Sequence, residues 1–198
     1  MGMSKGEMTR QAIVDRATRV ASRVGLGGLT IGSLATDTGL SKSGLFAHFN
    51  SKESLQLQVL GHARSRFVDL VVRPALKAPR GEPRVRALFD RWLAWCGDLP
   101  GGCVFVAAAS ELDDQPGPVR DQVAANQRDW LETVTTVFRG GVTEGQFRAD
   151  ADPEQFAHDL YGVILAYHHA SRLLRDGKAE VRARRALDRL IDAAREPG

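Results

Sequence analysis

Residues 30–49 read TIGSLATDTGLSKSGLFAHF, and their spacing predicts two short helices joined by a tight turn. Thr30 and Ser41 are N-cap residues, each followed by a run long enough for about two helical turns. Gly39 falls between the runs, at a turn of positive φ where a β-carbon costs about 1 kcal/mol or more. Two short helices that cross steeply need small or apolar residues where they touch. Ala35 supplies the small residue, and Ile31, Leu34, Leu40, Leu45 and Phe49 supply the apolar side. Lys42, Ser43, Phe46 and Ala47 are left facing outward on the second helix.

That outward face suits the major groove of duplex DNA. Lys42 can donate to guanine O6 or N7 or to a phosphate, and Ser43 can donate or accept. The Ala47 methyl can meet a thymine methyl, while Gly44 lets the backbone approach without reading a base. An ordinary corner of two helices with a polar outer face has the same spacing, so spacing alone leaves both readings open.

The rest of the chain is also helical in pattern, with no alternating run bounded by hairpin turns. Thr9 can cap a first helix carrying Ile13, Ala17, Val20 and Val24, which the glycines of GLGGL at 25–29 stop. Asn50 or Ser51 opens a long helix toward Val72, closed by Pro74. Further helices are expected at about 83–98, up to Leu112, from Pro118 to about Arg139, from Asp152-Pro153 to about Asp176, and over about 179–195. The expectation is an all-α chain of about nine helices, with no repeat and no low-complexity segment.

Composition narrows the class. Of 198 residues, 43% are hydrophobic and 26% charged, as in ordinary globular proteins. The longest apolar run, Val104–Ala109, is far short of the roughly 18–20 residues of a membrane span. The opening MGMSKGEMTRQ lacks the apolar core of a signal peptide, and Gly6 breaks the myristoylation pattern. A cytoplasmic location is expected. Cys96 and Cys103 then read as two buried small hydrophobes rather than a disulfide. No ligand-spaced His or Cys cluster suggests a metal, and no cofactor is expected.

Charge is unevenly spread. Residues 1–66 hold nine basic residues (Lys5, Arg10, Arg16, Arg19, Arg23, Lys42, Lys52, Arg64, Arg66) against four acids (Glu7, Asp15, Asp37, Glu53). The remainder holds eighteen basic and twenty acidic residues. A basic N-terminal third suits a polyanion partner, although a solvated charged surface has the same composition.

The run LSKSGLFAHFNSKESL at 40–55, preceded by TIGSLA and an amphipathic helix, resembles the TetR family of bacterial transcriptional regulators over about residues 8–60. The family's Tyr-x-His-Phe-x-x-Lys stretch corresponds to Phe46-Ala47-His48-Phe49-Asn50-Ser51-Lys52. The resemblance implies that His48 and Lys52 touch phosphates, and that Lys42, Ser43 and Ala47 face bases. Phe46 stands where Tyr is usual, so its ring can pack on the backbone but the hydroxyl donor is gone. With the cap residues, the candidate DNA-binding set is Thr30, Ser41, Lys42, Ser43, Phe46, Ala47, His48 and Lys52. Lys52 has an independent argument: it lies in the first turn of a helix, where the backbone already favours an anion.

The resemblance further implies a helix-turn-helix DNA-binding domain at 1–52 and a helical effector-binding and dimerisation domain at 53–198. Double-stranded DNA with a palindromic operator, a second copy of the chain and a small apolar or amphipathic effector are the implied partners, with no membrane. Small residues Gly162, Ala166 and Ala170 on one helix, with Ala183, Leu187, Leu190 and Ala194 on the next, suggest a two-fold four-helix interface. Core packing explains the same residues. Trp92, Trp95, Phe105, Trp130, Tyr161 and His168 are candidates to line an apolar pocket, although aromatics at helical spacing also make core. An effector would act by shifting the two heads away from the spacing of successive major grooves, about 34–36 Å, through the helix at 51–72.

The function expected is a sequence-specific transcriptional regulator, a repressor tuned by an effector. A DNA-binding regulator without a ligand is the alternative. A small all-α enzyme is a poorer reading, with His168, His169, Glu111, Asp113 and Asp114 as its only candidates. Adjacent histidines project about 100° apart on a helix, and the acids look like solvated loop charges.

Overall fold

Every regular element of the computed structural model is helical among the described residues, 5–195, with side chains described from Arg10 onward. The elements are α1 (Lys5–Gly28), α2 (Ile31–Thr38), α3 (Lys42–Phe49), α4 (Lys52–Phe67), a π-helical turn (Val68–Val72), α5 (Arg73–Ala75), α6 (Glu82–Asp98), α7 (Val104–Leu112), α8 (Pro118–Thr143), α9 (Pro153–Arg172) and α10 (Ala179–Ala194). α4, the π turn and α5 follow without a break, so nine separate helical segments result, as the periodicity predicts.

Boundaries differ from expectation where a local rule is overridden. α1 starts at Lys5, which puts Thr9 inside the helix rather than at its cap. Its buried stripe is Ile13, Val14, Ala17, Val20 and Ala21, while Val24 is 50% exposed. Gly25, at φ 79°, breaks the helix and redirects the chain, so Val24 is the last residue of the straight segment. The long helix ends at Ala75, one residue past Pro74. Having no N–H to donate one turn back, Pro74 is accommodated by the π turn, where the Arg73 N–H reaches the Val68 carbonyl five residues before it. Ser51 caps α4 by accepting from the Ser54 N–H at 3.0 Å.

The chain forms two compact units. The first holds residues up to Arg66 together with Asp98–Asn126. In it α1 packs against α2 and α7, and α2 against α3. Leu26, Leu29, Leu34, Leu45, Phe49, Leu55 and Leu60 are fully enclosed. Polar ties cross this core. Asp37 pairs with Arg16 and, at 3.0 Å, with Arg23. Asp15 accepts from Arg66 at 2.5 Å and lies 3.2 Å from His62 Nε2. Burial pushes the Asp15 carboxyl up, but the His62 and Arg66 contacts outweigh it and hold it below its ordinary value.

The second unit holds Phe67–Gly97 and the chain from Gln127 on, with α9 packed along α10. Its core is aromatic. Phe138 stacks on Phe147 at 4.4 Å and on Phe156 at 4.2 Å. Phe67 meets Trp95 and Trp130 edge-on at 5.6 and 5.2 Å, and Trp92 meets Tyr167 at 5.4 Å. Gly141 is required here, because a β-carbon would lie 2.4 Å from the Phe147 ring. Glu82 accepts from both Arg195 and Arg86. Cys96 is buried in this unit and Cys103 in the first. No helix among the described residues is long and apolar enough to cross a membrane.

Candidate nucleic-acid interface

Two reciprocal bonds start the motif. Thr30 Oγ1 accepts from the Ser33 N–H at 2.9 Å, and Ser33 Oγ accepts from the Thr30 N–H at 2.9 Å. This closes a capping box that satisfies two otherwise orphaned donors. α2 ends at Gly39, whose φ of 70° turns the chain and whose N–H reaches the Ala35 carbonyl at 2.9 Å. Ser41 caps α3 by accepting from the Gly44 N–H at 3.1 Å. Asn50, at φ 60°, closes it.

α3 has two unlike faces. Leu45 and Phe49 are fully buried, four residues apart on the inner side. Ser41, Lys42, Ser43, Gly44, Phe46 and Ala47 are exposed, and His48 is half-buried beside the Phe49 ring, with centroids 6.2 Å apart. Phe46 is 56% exposed, a large aromatic on a face otherwise small or polar. Leu40 departs from expectation. It is 43% exposed rather than part of the buried side, because the Gly39 turn carries it out of the α2–α3 contact. Thr30 is exposed at the start of α2, and Lys52 is exposed at the start of α4.

Lys52 Nζ donates to the Gly27 carbonyl at 2.5 Å, and the buried Gln56 side chain donates to the Leu26 carbonyl at 2.6 Å. On the other side of the same turn, the Glu111 carboxylate accepts from the Leu26 N–H at 2.8 Å and the Gly27 N–H at 2.6 Å. Glu111 is therefore no solvated loop charge. It projects from α7 and is half-buried, whereas Asp113 and Asp114 are exposed in the following loop. Sequence reasoning missed Glu111 and Gln56 as parts of this unit. The one available signal was GLGG itself, whose glycines leave room for a carboxylate: a β-carbon on Gly25 or Gly27 would lie within 2.7 or 2.5 Å of a Glu111 oxygen.

The candidate pocket residues have different settings. Trp92, Trp95 and Trp130 are buried in the second unit's aromatic core, and Phe105 is buried in the first unit. Tyr161 lines a groove of about 710 Å³ between α8 and α9, with Arg128, Thr135, Arg139 and His158. A second groove, of about 470 Å³, lies between α9 and α10 along Gly162, Ala166, Ala170 and Ala183. None of the tryptophans lines either groove. His168 is partly buried, and its Nε2 is enclosed without a hydrogen-bond partner. Burial, and then the Arg172 charge, hold that imidazole below its ordinary pKa. No group of three or more His, Cys, Asp or Glu among the described residues could hold a metal.

The α9 and α10 stripes also part company. Gly162 and Ala166 are exposed, but Ala183, Leu187 and Ala194 are buried within this chain's own second unit. The large apolar residues that α9 and the segment after it leave to solvent are Leu165, Leu173 and Leu174, the last two 71% and 62% exposed.

A turn-linked helix pair with an exposed small and polar face, on an all-helical chain, defines a helix-turn-helix protein. Residues 13–59 match the model of the bacterial regulatory proteins of the tetR family, and residues 81–187 match the tetracyclin repressor-like C-terminal domain. The chain belongs to the TetR family of DNA-binding transcriptional regulators. It is 24% identical over 181 residues to the HTH-type transcriptional regulator SrpR of Pseudomonas putida, covering 90% of this chain and 82% of that protein. Its fold is similar to that of a TetR-family regulator from Cytophaga hutchinsonii, with TM-score 0.88 at 19% identity over the whole of both chains. It is also similar to AibR, solved in complex with isovaleryl coenzyme A and operator DNA, with TM-score 0.72 at 19% identity over 96% of this chain and 99% of that one.

Proposed function

We propose that this chain is a cytoplasmic, homodimeric repressor that grips a palindromic operator through residues 1–52 and is released or retained by a small-molecule effector bound within residues 53–198. The observation that carries the DNA side is the division of α3. With Leu45 and Phe49 enclosed, Lys42, Ser43 and Ala47 are free to meet base edges, as a recognition helix requires. Lys52 and His48 serve as phosphate contacts, Phe46 packs on the sugar-phosphate, and Thr30 and Ser41 stand at the helix starts where backbone N–H groups favour an anion. Family membership supports a regulator rather than an enzyme. That AibR was solved with both an acyl-coenzyme A and operator DNA supports an effector of apolar or amphipathic character here.

Dimerisation rests on the exposed Leu165, Leu173 and Leu174 beside Gly162 and Ala166. A second reading has its own observation. Trp92, Trp95 and Trp130 are spent on core packing, which favours a regulator that responds to abundance or to a partner protein rather than to a ligand. Thermal-shift screening against apolar acids and acyl thioesters separates the two, since a ligand that binds only the folded state raises the unfolding midpoint. The DNA claim is tested by footprinting the purified protein on the DNA upstream of its own gene. A protected palindrome is expected. Absence of salt-sensitive duplex binding overturns the proposal.

A further inference from the structure

We infer that Glu111 is a positioning residue for the DNA grip: its carboxylate fixes the 25–28 turn, and the Gly27 carbonyl of that turn holds the Lys52 ammonium in place for a phosphate. The inference rests on the reading of Lys52 as a phosphate contact.

The turn is held from two sides by groups far apart in sequence. From α7, Glu111 Oε2 and Oε1 accept from the Leu26 and Gly27 N–H groups at 2.8 and 2.6 Å. From α4, Gln56 Nε2 donates to the Leu26 carbonyl at 2.6 Å, and Lys52 Nζ donates to the Gly27 carbonyl at 2.5 Å. The peptide group linking Leu26 and Gly27 thus donates to a carboxylate at its nitrogen and accepts an amide N–H at its oxygen. Hydrogen bonds in such a chain polarise one another. Next to it, the loop before α7 presses on the end of α1: the Gly101 N–H donates to Ser22 Oγ at 3.1 Å, and a β-carbon on Gly101 would overlap the Ser22 carbonyl. Together these partners leave the turn little freedom to move.

The consequence falls on Lys52. A lysine loses most of its rotamer freedom when it is ordered at a phosphate. One tethered to Gly27 has lost that freedom before DNA arrives, and its ammonium keeps two further N–H donors for phosphate oxygens. Replacing the Glu111 carboxylate with an amide sets a donor against one of two backbone donors, so the turn loosens and the tether loses its fixed acceptor. Sequence position hides this link, because Lys52 and Glu111 lie 59 positions apart.

The test is a double-mutant cycle on the full-length protein, read as affinity for a fluorescent duplex carrying the footprinted operator, with thermal unfolding recorded in parallel. Lys52→Ala alone should weaken binding. Glu111→Gln should weaken it about fivefold, the worth of one lost hydrogen bond, and should have almost no effect when Lys52 is already Ala. A role confined to stability would lower the unfolding midpoint and weaken binding equally in both backgrounds, or leave binding unchanged; either result overturns the inference while the Lys52 contact stands. If Lys52→Ala leaves affinity unchanged, the Lys52 contact fails and the inference with it. Gly27→Ala, whose new β-carbon would lie 2.5 Å from Glu111 Oε1, displaces the carboxylate from the opposite side. It should reproduce the Lys52-dependent loss, which keeps the test decisive if Glu111→Gln unfolds at the assay temperature.

Discussion

Thr30 and Ser33 satisfy each other across the first turn of α2, each hydroxyl accepting from the other's backbone N–H at 2.9 Å. Thr30 is also a proposed DNA contact, so its two roles must be separated. Thr30→Ala removes the cap and should cost about 1 kcal/mol of stability. Thr30→Asp keeps a capping acceptor but places a negative charge at the phosphate side. Chemical denaturation should show only the Ala variant losing stability, while duplex titration should show the Asp variant binding more weakly.

Base reading and backbone grip predict different signatures. Lys42→Ala or Ser43→Ala should relax preference at particular operator positions, by about 1–3 kcal/mol for a good contact. His48→Ala should instead weaken binding to every duplex alike, as loss of a backbone contact does. Competition titration with operator variants carrying single base changes distinguishes the patterns.

Two glycines should respond very differently to a methyl group. Gly39 has φ 70° and open space around it, so Gly39→Ala should cost about 1 kcal/mol from backbone strain alone. At Gly101 a β-carbon would sit 1.4 Å from the Ser22 carbonyl oxygen. Overpacking typically costs about 1–3 kcal/mol, and backbone overlap of this depth should reach or pass the upper end. Urea unfolding midpoints of the two variants provide the comparison.

Self-association should depend on the apolar face of α9. Leu165→Glu places a charge between Gly162 and Ala166 on the exposed side without touching the buried Phe156, Leu160 and Ile164. Light scattering should report a dimer for the parent chain and a monomer for the variant, with helicity unchanged. Operator affinity should fall with it, since two linked half-sites are bound far more tightly than one.

Stability should begin to fall on mild acidification because of His168. Its pKa is lowered below the ordinary 6.5, chiefly by burial and then by Arg172. The unfolded chain therefore binds the proton more readily than the folded one. The neutral form's contribution is complete above about pH 6.5 and declines as the pH drops from there toward the folded value. Asp15 and Glu82 act in the same direction at lower pH, their carboxyls held below 3.8 and 4.5 by their basic partners. Unfolding midpoints between pH 7 and 5 should fall for the parent chain and flatten in His168→Phe.

Much of the fold was legible because its signals are local. Thr30, Gly39 and Ser41 mark where α2 and α3 begin and turn, and the apolar four-residue spacing of Leu45 and Phe49 sets the inner face of α3. Where the reading failed, a non-local or geometric fact intervened. Leu40 looked like core from its chemistry, yet the left-handed turn at Gly39 carries it outward. Pro74 marks the end of the long helix to within one residue, but the π turn that precedes it left no mark in the sequence. Ala183 and Leu187, read from their spacing as part of a two-fold interface, are buried within the chain's own second unit, where α9 packs along α10.

Residues 30–49 by themselves determined where α2 and α3 begin, where the chain turns between them and which side of α3 is buried. Caps, a positive-φ glycine and apolar periodicity act within a few residues, so their chemistry can be read along the string. Tertiary structure alone decided that Glu111, on α7, is bonded to the GLGG turn and that Lys52 is tethered there. It also decided that three tryptophans serve the core rather than either groove. Such pairings join residues tens of positions apart, and which of many compatible donors and acceptors meet depends on how whole helices pack.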